Sequence, residues 1–293
     1  MSTMKVIKKR ILSVNNTKKI MKAMNLVAAS KLQKAKARLD DVSPMYDNIQ
    51  SVMDKIKAGV NSKMKITFAE VREVKSIAYI ILSSDRGLCG GFNTNVSKEA
   101  LAYIEANKDK QEKIIAVGSK GWDYFRRRGK NIVYRCEGAS DATSFTDAED
   151  LGRRVASMYT SGEVDEVYII YTHFESILAH IPYIVKLLPI RVETVDDSEG
   201  DTPDTADPPE MSYDPDPNTF ITHAVPMYLN VSIYGAMMES AVCEQACRMT
   251  SMDAATRNAT EIIDDLTLEF NRKRQGLITQ EITEIVSGAN ALQ

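Results

Sequence analysis

The chain has 293 residues, 44% hydrophobic and 26% charged, with a formal net charge of −3. That is the mix of a soluble folded protein with room for a sizeable core, and no apolar run reaches the length of a membrane span. Four cysteines, Cys89, Cys136, Cys243 and Cys247, are too sparse for a disulfide scaffold, so free thiols are expected. The charge is segregated: residues 1–40 hold eleven Lys or Arg and one acid, Asp40, while residues 193–216 hold ten acids and no base. The basic N-terminus is not followed by an apolar stretch, so it reads neither as a signal peptide nor as a transit peptide.

Residues 4–60 carry an apolar repeat alternating four and three. One series is Ile7, Val14, Met21, Ala28, Ala35, Val42, Ile49 and Ile56; the other is Ile11, Lys18, Asn25, Leu32, Leu39, Tyr46, Met53 and Val60. This spacing predicts a coiled-coil helix, with Lys18 and Asn25 as polar breaks in the seam and Pro44 as the place where it kinks or splits.

The middle of the chain alternates strand and helix. Strands are expected at Ile77–Ser83, Lys113–Gly118, Asn131–Arg135, Asp165–Tyr171 and Ile181–Thr194, the last interrupted by Pro189. Helices are expected at Asn93–Asn107, Ser119–Gly129 and Thr146–Gly162. Such alternation implies an α/β layer on a mostly parallel sheet. Residues 196–217 are acidic and rich in proline, and are expected to form a loop.

From Met227 to Leu292 there is no proline and only three glycines, so a helix of roughly 100 Å is expected. Only the N-terminal heptads are long enough to lie along it. With Val60 set beside Pro226 in an antiparallel pair, about the last ten residues project as an unpaired tip. That tip holds Ile285, Val286, Ala289 and Leu292, apolar side chains that call for an enclosing protein. Two apolar stripes run along the helix: Met252, Ala255, Ala259, Ile263, Leu266 and Phe270, then Ile278, Ile282, Ile285 and Ala289. Between them lies the polar collar of Arg272, Lys273, Arg274 and Gln275, placed to meet acids on a partner.

No catalytic constellation is apparent. The turn Asp85-Arg86-Gly87-Leu88-Cys89-Gly90-Gly91 follows a strand and opens a helix, where an α/β domain binds phosphate, but its spacing fits neither dinucleotide fingerprint nor P-loop. A tight turn packed on a neighbour is the better reading. His173, His180 and His223 are too scattered for a metal site, and Cys243 and Cys247, four apart on a helix, read as core. Cys89 has no histidine near it in sequence to act as a base. The basic first helix could bind nucleic acid, but it lacks interleaved aromatics, and a solvated face beside a seam explains it better.

Three stretches resemble the gamma subunit of F-type ATP synthases, in the right order and across essentially the whole chain. They are Lys19-Ile20-Met21-Lys22-Ala23-Met24-Asn25-Leu26-Val27-Ala28-Ala29-Ser30-Lys31-Leu32, Asp85-Arg86-Gly87-Leu88-Cys89-Gly90-Gly91-Phe92-Asn93, and Ile278-Thr279-Gln280-Glu281-Ile282-Thr283-Glu284-Ile285-Val286-Ser287-Gly288-Ala289. The resemblance implies a long antiparallel coiled coil of N- and C-terminal helices plus a Rossmann-like α/β domain. Its expected segments are a first helix at 1–65, a foot domain at 70–195, the acidic loop at 196–217 and a last helix at 218–293.

It further implies a central rotor shaft that couples ion flow through the membrane sector to ATP synthesis or hydrolysis at the catalytic beta subunits. The shaft makes no bond itself and needs no cofactor or metal. The implied partners are the alpha and beta subunits, the epsilon subunit and the c-subunit ring. Contact with the membrane is through the complex only, with no nucleic acid. A place on the cytoplasmic face of a bacterial cell membrane is expected. Residues at family contact positions are Arg274 and Gln275, with Arg272, Lys273, Met24 and Lys31 in the same zone and Ile282, Ile285 and Leu292 in the tip. The turn Asp85–Gly91 is expected in the foot, near the c ring or epsilon. The chain lacks the regulatory cysteine pair of chloroplast members. The acidic loop is longer than the family leads one to expect, and a role in tuning contact with epsilon or the c ring is the expectation for it.

Overall fold

In a computed structural model, residues 2–59, 68, 72–137, 144–190 and 217–291 are described. The elements run α1 (Ser2–Gly59), β1 (Ser76–Leu82), α2 (Phe92–Ala106), β2 (Gln111–Val117), α3 (Ser119–Arg126), β3 (Ile132–Cys136), α4 (Phe145–Thr160), β4 (Glu166–Phe174), β5 (His180–Leu188) and α5 (Pro217–Ala291). The chain divides into two compact units. One is Lys31–Cys247; the other joins Met1–Ser30 to Arg248–Gln293. The expected boundaries near 65, 70 and 195, and the acidic loop up to residue 216, lie outside the described residues.

The sheet of the first unit has the order β3-β2-β1-β4-β5. Four strands are parallel and β5 returns antiparallel along β4. β1, SIAYIIL, is buried at all seven positions, as a central parallel strand covered on both faces should be. Alternate residues build two cores. Ala78, Ile80 and Leu82 face one that includes α4 and Met53 of α1. Ile77, Tyr79 and Ile81 face another, against Val96, Ala100 and Ile104 of α2 and Phe125 of α3. α4 starts on a reciprocal capping box: Ser144 Oγ accepts from Asp147 N–H at 3.2 Å, and Asp147 Oδ2 accepts from Ser144 N–H at 3.1 Å.

Two expectations change. α1 runs unbroken through Pro44, so proline does not split it. α5 begins at Pro217, one residue before the expected segment at 218–293, and carries Pro226 inside it, ahead of the proline-free stretch from Met227. The reason is tertiary. Ala224, Val225, Leu229, Ile233, Ala236 and Met237 enter the first core. Burying an aliphatic side chain of this kind contributes about 1.5–3 kcal/mol, which offsets the cost of a proline within the helix. The first third of α5 is therefore core of the sheet unit and not coiled coil alone. β5 ends at Leu188, just before Pro189, and residues 191–194 of the expected strand lie outside the described residues.

In the second unit, the heptad positions Ile7, Ile11, Val14, Lys18, Met21, Asn25 and Ala28 are buried or half-buried, while most positions between them are exposed. On α5 the stripe Met252, Ala255, Ala259, Ile263, Leu266 and Phe270 is likewise covered. These two faces form the antiparallel coiled coil.

Candidate subunit interface

The end of β1 opens into the glycine-rich turn, and the first three N–H groups of α3 are taken up by residues 83–85. Asp85 Oδ1 accepts from Ser119 N–H at 2.9 Å, Ser84 O from Lys120 N–H at 3.0 Å, and Ser83 Oγ from Gly121 N–H at 2.8 Å. The fourth, Trp122 N–H, reaches Gly118 O at 3.3 Å. A free helix N-terminus binds phosphate through these groups; here the turn occupies them. Asn93 fastens the loop to itself, with Oδ1 accepting from Ser84 N–H at 2.9 Å and Nδ2 donating to Cys89 Sγ at 3.1 Å. Cys89 and Phe92 pack on the fully buried Cys243 of α5, whose thiol donates to Thr172 O at 3.4 Å. Burial pushes that thiol well above its ordinary pKa, so it stays protonated and inert.

Of the turn, Asp85 and Cys89 serve the fold. Leu88 does not: it is 61% exposed and sits at φ 64°, a left-handed conformation unusual for leucine. A cavity of about 60 Å³ between α1, β4, β5 and the first third of α5 is lined by Val42, Tyr46, Tyr171, Tyr228 and Ser232. A nucleotide or similar ligand needs several hundred Å³. His173 Nδ1 meets Glu239 Oε2 at 2.7 Å, His180 Nε2 is buried without a partner, and the His223 side chain lies outside the described residues. No metal-binding group of three side chains occurs among the described residues.

The coiled coil carries the other candidate surface. Asn25, a polar break in the seam, donates its Nδ2–H to Met249 O at 2.9 Å, which fixes how the two helices lie alongside each other. Counting from that bond at equal rise in opposite directions, Ser2 comes level with Arg272. The unpaired tip is therefore Lys273–Ala291, about twice the length the sequence suggested. Setting Val60 beside Pro226 gives the shorter tip, whereas the bond from Asn25 to Met249 sets a different register. Exposure agrees: Arg272, Lys273, Arg274 and Gln275 are exposed, as are Ile278, Ile282, Val286 and Ile285, the last at 71%. Met24 is half-buried beside Asn25, and Lys31, also half-buried, belongs to the sheet unit. Leu292 lies outside the described residues. An apolar stripe of four residues on a bare helix is a surface awaiting a partner.

A family model described as ATP synthase matches residues 3–292. An ATP synthase gamma chain of Alkaliphilus metalliredigens is 40% identical over 290 residues, covering 99% of both chains. The chain belongs to the ATP synthase gamma-chain family. A gamma chain of Desulforamulus reducens is 39% identical over 295 residues, covering the whole of both. Among solved structures, the Euglena gracilis mitochondrial ATP synthase rotor aligns with a TM-score of 0.69 at 16% identity, over 94% of this chain and 99% of that one. The Tetrahymena thermophila central stalk and c ring aligns at 0.55 and 22% identity, over 80% of this chain and 99% of that one. These likenesses bear on the fold. As a gamma-family chain, this protein is the rotor-shaft subunit of an F-type ATP synthase and part of a membrane-associated complex. No described helix is long and apolar enough to cross a membrane itself.

Two surfaces escaped the sequence reading. The β4–β5 hairpin presents Leu178 at 84% exposure beside Ile177. Arg126, Arg127 and Arg128 close α3 on its exposed side. The run of three arginines is visible in sequence, but not that the three form no ion pair among the described residues.

Proposed function

We propose that this chain turns as the central shaft of an F-type ATP synthase with three separable working parts. The tip Lys273–Ala291 is the end of the axle, seated in a sleeve formed by the alpha and beta subunits. Ile282 and Ile285 bear on that sleeve, with Leu292 continuing the stripe. The collar Arg272, Lys273, Arg274 and Gln275 engages acidic loops of beta; Met24, beside Asn25 and so level with Met249 and Thr250, is a contact separate from the collar, and so is Lys31. The sheet unit is the foot, in contact with the epsilon subunit and the c ring. Its Asp85–Gly91 turn presents Leu88 as the residue left over for a neighbour. The chain makes and breaks no bond itself; catalysis belongs to beta. The complex sits on the cytoplasmic face of the membrane.

The observation that carries this reading is the tip: nineteen helical residues with an exposed isoleucine stripe and no partner helix beside them. Basic residues stop at Arg274. A surface without cations makes few directional ion pairs and lets a shaft turn in its bearing. Antiparallel pairing through Asn25 supplies the torsional stiffness below it. The test is co-expression with the alpha and beta subunits. The full chain should co-purify with both, and removal of Leu277–Gln293 should weaken assembly or coupling while the sheet unit stays folded by circular dichroism. Unchanged assembly and coupling without the tip would refute the bearing. Arg274→Ala with Gln275→Ala should lower coupled ATP synthesis severalfold with assembly intact.

A further inference from the structure

The cavity of about 60 Å³ between α1, β4, β5 and the first third of α5 has a polar lining that the fold leaves unused. Tyr46, Tyr171, Tyr228, Ser232 and Glu239 line it, and Leu39, Val185 and Leu187 give it an apolar wall. All of these residues belong to the sheet unit. Tyr46 is exposed and the Glu239 side chain is 24% exposed, so the cavity is reached from solvent.

Three oxygens of this lining have no hydrogen-bond partner among the described residues. Ser232 Oγ is buried and unpartnered. Glu239 holds His173 Nδ1 through Oε2 at 2.7 Å, and its Oε1 is left over. The Tyr171 hydroxyl makes no bond either; burial, and then the Glu239 carboxylate, push its pKa up, so it stays neutral. A buried hydroxyl without a partner is costly, and asks for a bound group.

The lining selects which group. Glu239 repels anions, and a neutral His173 that donates from Nδ1 leaves the carboxylate its charge. The tyrosine rings attract a cation. Three oxygens lacking a donor match the three N–H donors of a primary ammonium, which carries no acceptor. Size sets the rest. A water molecule occupies roughly 30 Å³ of the liquid, so the cavity has room for about two non-hydrogen atoms, one nitrogen and one carbon.

We infer that this cavity binds a primary ammonium carried on a single carbon. Its N–H groups are met by Ser232 Oγ, the Tyr171 hydroxyl and Glu239 Oε1, and its carbon lies against the apolar wall. Two sources offer this chemistry: a free amine of methylamine size, and the tip of a lysine side chain from a neighbouring subunit.

The probe is ¹³C-labelled methylammonium, titrated into the full chain at about 0.15 M sodium chloride to screen surface carboxylates. Binding is read by saturation-transfer NMR. About two heavy atoms limit affinity to the millimolar range, and saturable binding there is expected. Methanol, equal in size and uncharged, should bind about tenfold more weakly or worse. Glu239→Gln should weaken methylammonium binding by about the same factor. Gly235→Ala is the independent variant. Gly235 lines the cavity, and a Cβ there would lie 3.4 Å from Tyr46 Cδ2, an ordinary contact. Alanine also favours the helix, so the circular dichroism should be kept while the narrowed cavity loses the probe. Absence of saturable binding, equal binding of methanol and methylammonium, or unchanged methylammonium binding in both variants would each overturn the assignment. The equal case would make the cavity a water site, and the unchanged case would move the probe to other carboxylates. With the alpha and beta subunits assembled around the chain, loss of Glu239-dependent binding assigns the site to a neighbour's lysine, and its retention to a free amine.

Discussion

Gly118 leaves the β2–α3 junction no tolerance. Its φ is 89°, and a Cβ there would fall 2.2 Å from Ser83 O. Gly118→Ala should destabilise the chain by about 2 kcal/mol or more, read by urea unfolding; a loss under half of that would mean the junction yields. Asp85→Ala removes the acceptor of Ser119 N–H and should cost about 1 kcal/mol, with assembly into the complex retained. A larger effect on assembly than on stability would assign Asp85 to an interface instead. His180 gives a pH signature. Burial lowers its pKa below the ordinary 6.5, so the unfolded chain binds a proton there that the folded chain refuses. Its contribution is full above about pH 6.5 and is lost as pH falls below it. His180→Gln should flatten the decline in unfolding free energy on acidification; an equal decline in the variant contradicts this.

Among the elements, α1 was the most legible, because a heptad repeat reports directly which positions a partner helix must cover. The sheet was legible too, since each strand is an apolar run between glycines and helical periodicities. What sequence could not give was the register of the coil, because many offsets satisfy a long apolar repeat. One buried amide, Asn25 to Met249 O, chooses among them. The proline-free stretch from Met227 understates α5 for a similar reason: Pro226 is a breaker by local rules, and the core made by Leu229, Ile233 and Met237 overrides it. Spacing at the turn that opens α2 makes a nucleotide site the weaker reading; the N-terminus of α3 is occupied separately, by Ser83, Ser84 and Asp85. Within the tip, Gly276 meets nothing within 4 Å. Gly276→Ala should therefore stabilise the helix locally by about 1 kcal/mol, slowing amide exchange around it in the free chain. If exchange is unchanged while torque falls, the glycine is a required joint and the tip is not a plain axle.

For the whole molecule, fold and family were legible because the shaft helices and the turn each carry long specific stretches. The exposed arginine run at the end of α3 and the Leu178 hairpin were not, because exposure is a property of the folded surface. The direct measurement is rotation. With the alpha and beta subunits fixed to a surface and a probe attached through a cysteine placed at the exposed Leu178, addition of ATP should turn the probe continuously in one direction. ATP hydrolysis at an ordinary rate with a stationary probe, in a complex that contains the chain, would contradict the shaft.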